Sequence, residues 1–252
     1  KAGLSQALFR GANAWLGGMR GGTAMAAIAG CAGFGAVCGS SLATASTMGR
    51  VALPELARYN YSGALATGTL AAGGVLGILI PPSVVLIIYA IIVEANIVTM
   101  FAAALLPGLL AVVLFILTIA IYVRVSPTSG PAHGGVGRAE FRAATIGLIP
   151  VVGIFGIVLG GIYGGFYNPT PAAAIGVALV WIYGAATRDI KFPDIVDSLK
   201  ETASNTGMIY LILLGAELMK IFMSRIGLPQ AAAEWILASG MAPMVVMVVL
   251  LI

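Results

Sequence analysis

Long apolar stretches alternate with short polar segments along most of the chain. A helix needs about 20 apolar residues to cross the hydrocarbon core of a bilayer, and several stretches approach or reach that length. The pattern therefore predicts membrane-spanning helices. We predict crossings at residues 101–123, 144–161, 172–186 and 203–223.

The N-terminal part of the chain combines an amphipathic segment with a stretch of small residues. Residues 1–16 have apolar side chains at helical spacing, which predicts an arm helix lying along the membrane surface. Residues 22–48 are rich in Gly, Ala, Ser and Thr and are too few for two full crossings. Arg20 precedes this stretch and Arg50 follows it, and the positive-inside rule places both on the cytoplasmic side. We therefore predict a re-entrant hairpin.

A second apolar run, residues 62–93, is interrupted by Pro81 and Pro82. Because proline has no amide hydrogen, the two residues remove two successive helical hydrogen bonds. The run is therefore predicted to be a broken helix.

Residues 94–227 are predicted to contain the remaining membrane helices. Among them, residues 192–201 are predicted to be a short amphipathic cytoplasmic stretch. The polar triplet 204–206 is similar to the Ser-Asn-Thr signature of dicarboxylate/Na⁺ symporters, but its place at the start of the next crossing favours an N-cap. Residues 228–252 predict an outer arm helix and the start of a second hairpin. An arm followed by a small-residue segment thus occurs twice with opposite orientation, an inverted repeat typical of secondary transporters.

Composition agrees with this reading of the pattern and excludes other classes. Apolar side chains make up 60% of the chain and charged ones 9%, against roughly 25% charged in soluble domains. The net charge of +4 is too thinly spread for a nucleic-acid-binding surface. Cys31 and Cys38 are too few for a disulfide framework or a four-cysteine zinc site. The predicted fold class is an all-α polytopic membrane protein in contact with the lipid bilayer.

Catalysis has little support in the sequence. The single histidine, His133, lies in a Gly/Pro-rich loop, and the charges inside the predicted crossings are Glu217 and Lys220. Their spacing of three residues lets the pair neutralise itself on one helix face. An intramembrane enzyme would need a constellation of acid, base or nucleophile at membrane depth. We predict that the chain is not an enzyme.

Two motifs supply polar groups where the helical backbone is expected to break. The first runs Cys38-Gly39-Ser40-Ser41-Leu42-Ala43-Thr44, and the second runs Gly77-Ile78-Leu79-Ile80-Pro81-Pro82-Ser83. Unwound backbone offers carbonyl oxygens to a small cation, hydroxyls add further oxygens, and helix N-termini attract an anionic group. The alternatives are close packing of small residues at the first motif and a simple proline kink at the second.

These motifs, together with Pro54-Glu55 and Pro107-Gly108, resemble the large membrane subunit of tripartite ATP-independent periplasmic (TRAP) transporters. The resemblance extends over nearly the whole chain and is strongest over residues 20–108. Residues 166–174 resemble the family's Thr-Pro-Thr-Glu-Ala-Ala turn, but Asn168 replaces the first threonine and Pro171 replaces the glutamate. The chain therefore lacks a carboxylate at this bend.

The resemblance implies an inverted-repeat, elevator-type transporter with re-entrant hairpins and broken helices. Residues 17–93 would form part of the mobile transport domain, and residues 94–227 would include scaffold elements. Because the chain starts without Met and stops inside an apolar run, we expect it to be truncated at both ends. The second hairpin and a second Pro-Pro break would lie beyond Ile252.

The resemblance also implies the site residues. The hairpin tip and the Pro-Pro break would surround one Na⁺ site and the inner wall of the substrate site. The implied Na⁺ ligands come from Gly39, Ser41, Thr44, Pro81 and Ser83. The implied substrate-binding residues are Ser40, Ser41, Thr44, Pro82 and Ser83. Na⁺ is the co-transported ion, and no organic cofactor is implied.

The implied function is Na⁺-coupled uptake of a small organic acid across the bacterial inner membrane by a multi-pass protein. The implied partners are a small four-helix membrane subunit and a periplasmic substrate-binding protein, and no nucleic acid is expected. A stand-alone Na⁺/dicarboxylate symporter of the same architecture is the alternative.

Overall fold

The computed structural model describes residues 3–132, 137–238, 240 and 243–251, and these residues form helices and connecting turns without a β-strand. His133 lies outside the described residues. The chain divides into two compact units, Lys1–Ile190 and Lys191–Ile252. The helices of the first unit are α1 (Leu4–Leu16), α2 (Gly22–Cys38), α3 (Ser41–Arg58), α4 (Gly63–Leu79), α5 (Val84–Ile92), α6 (Ile97–Val125), α7 (Arg138–Tyr163) and α8 (Pro169–Ala186). Those of the second are α9 (Phe192–Arg225), α10 (Leu228–Ala238) and α11 (Pro243–Leu251).

Four helices, α6 to α9, are long and apolar enough to cross a membrane. Helices α4 and α5 pass the same test together as one pair bent by 44°. This confirms an all-α polytopic membrane protein. The apolar run at residues 62–93 is interrupted at residues 80–83.

The predicted division of α9 is wrong. Residues 192–225 form one continuous helix of 34 residues, which begins at Phe192 rather than at the polar triplet 204–206. The start is fixed by Pro193 in the first turn and by Asp194, whose carboxylate accepts the Lys191 N–H at 3.0 Å. Since neither Gly nor Pro follows before residue 207, nothing in the backbone stops the helix at the triplet.

Helices α2 and α3 form the two limbs of a hairpin at the predicted place, but the second limb is longer than predicted. It continues past residue 48 to Arg58 because Thr44, Met48, Ala52 and Leu56, at successive i+4 positions, remain fully buried on one face. Pro54 is accommodated on the exposed side of the helix. Whether this hairpin is re-entrant stays a prediction.

Helix α2 lies at the centre of the core of the first unit, packed by α1, α3, α4 and α6. Glycines allow the neighbouring backbones to approach closely, as in many membrane helix pairs. A Cβ atom at Gly73 of α4 would lie 2.8 Å from Cys31 Sγ, and one at Gly30 of α2 would lie 2.7 Å from Met48 Cε. The arm helix α1 packs against both α2 and α7, with Trp15 against Phe141 at 5.2 Å between ring centroids.

Three loops meet at one end of this core, and hydrogen bonds join them. The Gly21 N–H donates to the Gly130 carbonyl at 3.2 Å, and the Ser62 N–H donates to the Ser129 carbonyl at 2.9 Å. The connections α1–α2, α3–α4 and α6–α7 are therefore held together, and we call this end of the core the loop junction.

Candidate functional site

The hairpin tip is a two-residue reversal between α2 and α3. Gly39 has φ of 62°, a left-handed conformation that glycine adopts without a Cβ penalty, and its N–H donates to the Gly35 carbonyl at 2.7 Å. Ser40 is extended and caps α3, because its Oγ accepts the Ala43 N–H at 3.4 Å. The chain therefore turns at the predicted Gly-Ser pair.

The break between α4 and α5 covers residues 80–83. Helix α4 ends at Leu79, Ile80 is extended, and Ser83 caps α5 by accepting the Leu86 N–H at 3.4 Å. The two prolines cannot donate to the carbonyls of Gly77 and Ile78, so these oxygens lack their usual helical partners.

The tip and the break are in direct contact although about 40 residues separate them in sequence. The Val84 N–H donates to the Gly39 carbonyl at 3.3 Å. A Cβ atom at Gly39 would lie 2.8 Å from the Pro82 carbonyl oxygen, so this approach requires glycine. The structure thus brings the two groups of predicted site residues together, and we call this contact the tip–break junction.

Four helix ends converge at the tip–break junction. The N-termini of α3 and α5 carry partial positive charge, and the C-termini of α2 and α4 carry partial negative charge. The capping hydroxyls of Ser40 and Ser83 each accept a backbone amide, so each retains its hydrogen for donation to a ligand. The junction can therefore offer donors to an anionic group and carbonyl oxygens to a cation.

Burial separates the predicted residues into two groups. Gly39, Thr44, Pro81 and Ser83 are buried, whereas Ser40, Ser41 and Pro82 are half-buried. The buried and half-buried residues lie next to one another around the tip and the break. Burial does not divide the predicted Na⁺ ligands from the predicted substrate contacts, because Ser41 is half-buried and belongs to both sets, and Thr44 and Ser83 are buried and also belong to both.

The buried Thr44 side chain stabilises the tip through hydrogen bonds. Its hydroxyl donates to the Ser40 carbonyl at 2.7 Å, and that carbonyl also accepts the Thr44 N–H at 3.0 Å. The Cys38 sulfur lies 3.2 Å from Thr44 Oγ1, and its thiol donates to the same Ser40 carbonyl at 3.7 Å.

Two glycines outside the predicted set hold the break against the tip. A Cβ atom at Gly77 would lie 2.5 Å from Thr44 Oγ1 and 2.8 Å from the Ser40 carbonyl oxygen. One at Gly35 would lie 2.5 Å from the Gly77 Cα atom. The signal for these positions in the sequence is the high glycine content of α2 and α4, which indicates close packing without identifying the pairs.

Comparison with known proteins adds to this geometry. The family described as the tripartite ATP-independent periplasmic transporter, DctM component, matches residues 1–252. The chain belongs to this family. Its membership confirms the resemblance seen in the sequence and places the chain among transporter components rather than enzymes.

Named relatives of the DctM-family chain are permease proteins. It is 36% identical, over 99% of its length, to the C4-dicarboxylate TRAP transporter large permease protein DctM of Pseudomonas aeruginosa. It is 34% identical, over 88% of its length, to the ectoine TRAP transporter large permease protein TeaC of Halomonas elongata. It is 29% identical, over 92% of its length, to the isethionate TRAP transporter permease protein DctMQ of Oleidesulfovibrio alaskensis. The chain spans 59%, 52% and 36% of these relatives' own lengths.

Proposed function

We propose that this DctM-family chain is part of a permease that imports a small organic acid together with Na⁺ by an elevator mechanism. The observation that supports the proposal is the tip–break junction, where four helix ends and two capping serines meet. The predicted Na⁺ ligands, Gly39, Ser41, Thr44, Pro81 and Ser83, and the predicted substrate contacts, Ser40 and Pro82 with three of these, belong to that one region.

A Na⁺ ion at the junction would be bound by oxygen atoms, as hard cations are. In the proposed site the oxygens are the carbonyls of Gly39 and Pro81 and the hydroxyls of Ser41, Thr44 and Ser83. A carboxylate substrate would lie next to the Na⁺ ion, against the N-termini of α3 and α5. Binding of each ligand would favour the other, because opposite charges lie close together in a dry site.

The Na⁺ role of Ser83 can be separated from its role as a helix cap. Ser62 is the matched control, because its Oγ caps α4 by accepting the Leu65 N–H at 3.3 Å but lies at the other end of that helix. Ser83→Ala and Ser62→Ala should each lose about 1 kcal/mol of helix stabilisation. In proteoliposomes, Ser83→Ala and Ser41→Ala should raise the Na⁺ concentration for half-maximal uptake, whereas Ser62→Ala should not. Unchanged Na⁺ dependence in both site variants would exclude the assignment.

The proposal includes partners and a location. We propose that the chain works in the bacterial inner membrane with a small four-helix membrane subunit and a periplasmic substrate-binding protein. The word tripartite in the family description and the fused name DctMQ of one relative support a multi-component transporter. The relatives are named for different substrates, which are C4-dicarboxylates, ectoine and isethionate.

Dependence on the binding protein distinguishes the proposal from a stand-alone Na⁺/dicarboxylate symporter. The bend between α7 and α8, residues 164–168, has no charged side chain that could attract a free organic anion. Full-length transporter in liposomes, with its small subunit and a Na⁺ gradient, should import almost nothing until loaded binding protein is added outside. Comparable uptake of free substrate would favour the stand-alone symporter.

A further inference from the structure

The Pro107-Gly108 motif of α6 contributes no residue to the proposed Na⁺ and substrate sites. Within this pair, Pro107 is exposed and Gly108 is buried. A Cβ atom at Gly108 would lie 3.1 Å from Ile80 Cγ1 and 3.2 Å from the Leu79 carbonyl oxygen. These two residues directly precede Pro81. The glycine therefore lets the backbone of α6 pack directly against the start of the break.

Helix α6 is held in place on both sides of Gly108. Phe101 lies seven residues before this glycine and Val123 lies 15 residues after it, and both side chains are fully buried. At the loop junction, a Cβ atom at Gly130 would lie 2.5 Å from Val123 Cγ1, and one at Gly21 would lie 2.9 Å from Val123 Cγ2. A side chain added at Gly108 could therefore not be accommodated by a shift of α6.

The break is the side of this contact that can move. Ile80 is extended rather than helical, and Pro81 and Pro82 have no amide hydrogen to bond the carbonyls of the preceding turn. A backbone hydrogen bond joins the break to the tip, from the Val84 N–H to the Gly39 carbonyl, and its length of 3.3 Å exceeds the usual range. A displacement of a few tenths of an ångström at Ile80 would weaken this bond.

We propose that Gly108 is a positioning residue for the Na⁺ site, because the backbone of α6 at this glycine sets the distance between the break and the hairpin tip. Gly108 acts through the two residues that it contacts. They fix the place of Pro81 and Ser83, which are proposed ligands. Since the groups of a binding site must be held within about 0.5 Å, a small shift of the break lowers the affinity for Na⁺. The inference rests on the proposed function, which supplies the Na⁺ site.

Thermal unfolding of the full-length transporter in detergent, in NaCl–KCl mixtures of constant ionic strength, gives the apparent dissociation constant for Na⁺, since a bound ion stabilises the folded state. Gly108→Ala should raise this constant about three- to fivefold, because a misplacement of about 1 Å can cost about 100-fold. Its uptake in proteoliposomes should recover at high Na⁺ concentration. Gly49→Ala on α3 is the matched control, since a Cβ atom there meets nothing within 4 Å, and its constant should be unchanged.

A double-mutant cycle tests the contact itself. Ile80→Ala removes the Cγ1 atom that a side chain at position 108 would meet. Alone it loosens the same contact and should raise the Na⁺ dissociation constant about twofold, and in the double variant the two effects should be less than multiplicative.

Three results would overturn the proposal, and they have different meanings. A lower melting temperature of Gly108→Ala with an unchanged dissociation constant would assign the glycine to packing alone. An unchanged constant for Ile80→Ala, or effects that multiply in the double variant, would show that the contact does not position the ligands. If the wild type itself shows no Na⁺-dependent stabilisation, the proposed Na⁺ site fails and this inference fails with it.

Discussion

Gly77 is a position of the tip–break junction that has no room for a side chain. It lies in α4 one turn before the break, and its Cα atom faces the hairpin tip. An alanine Cβ would lie 2.5 Å from Thr44 Oγ1 and 2.8 Å from the Ser40 carbonyl oxygen. The second neighbour is backbone that two hydrogen bonds from Thr44 hold in place, so it cannot move aside without cost.

The magnitude follows from two opposing terms. Forcing an extra methyl group into a packed core costs about 1–3 kcal/mol, and more when backbone must move. Alanine recovers about 1 kcal/mol relative to glycine inside a helix. Because the clash includes the Ser40 backbone, the upper part of the cost applies, and we expect Gly77→Ala to destabilise the protein by about 1–2 kcal/mol. Gly68→Ala in the same helix meets open space and should stabilise it by about 0.5–1 kcal/mol.

Two assays test this expectation. The first is thermal unfolding of both variants in detergent, and the second is substrate uptake by each variant in proteoliposomes. The melting temperature should fall for Gly77→Ala and rise slightly for Gly68→Ala. Uptake should be lost in the first variant because the tip is displaced from the break, and kept in the second. Wild-type stability and wild-type uptake of Gly77→Ala would refute the close approach of α4 to the tip.

Two other contacts give predictions of known sign. Tyr61→Phe should destabilise the protein by about 1–3 kcal/mol, because the phenol oxygen accepts the buried Thr23 N–H at 3.2 Å; an unchanged melting temperature would contradict this. Gly161→Ala should lower the melting temperature more than Tyr167→Phe does. The Tyr167 ring occupies the space where a Cβ would lie, whereas the phenylalanine variant loses only the hydrogen bond to the Ile157 carbonyl; the reverse order would contradict the packing.

The turn at Gly39 and the break at Pro81 and Pro82 could be predicted from the sequence because each depends on the backbone of a few residues. A glycine allows positive φ, and a proline removes an amide hydrogen wherever it stands. The sequence therefore placed both features within one or two residues.

The length of the hairpin could not be predicted in this way. Its second limb lacks a local stop signal at residue 48, and it continues to Arg58 because Ala52 and Leu56 are buried by neighbouring helices. The continuity of α9 was missed for a related reason, since a polar triplet is compatible with a cap and with a helix interior. The pairing of Gly35 with Gly77 depends on tertiary packing, which glycine content alone does not specify.

Na⁺ coupling is the central claim, and one measurement tests it most directly. Initial uptake of radiolabelled substrate would be followed in proteoliposomes that contain the full-length transporter and its small subunit, with loaded binding protein outside. An inward Na⁺ gradient would be compared with an equal K⁺ gradient at the same membrane potential. Uptake should be rapid with Na⁺ and remain near background with K⁺. Equal rates with the two cations would contradict a Na⁺ site at the tip–break junction.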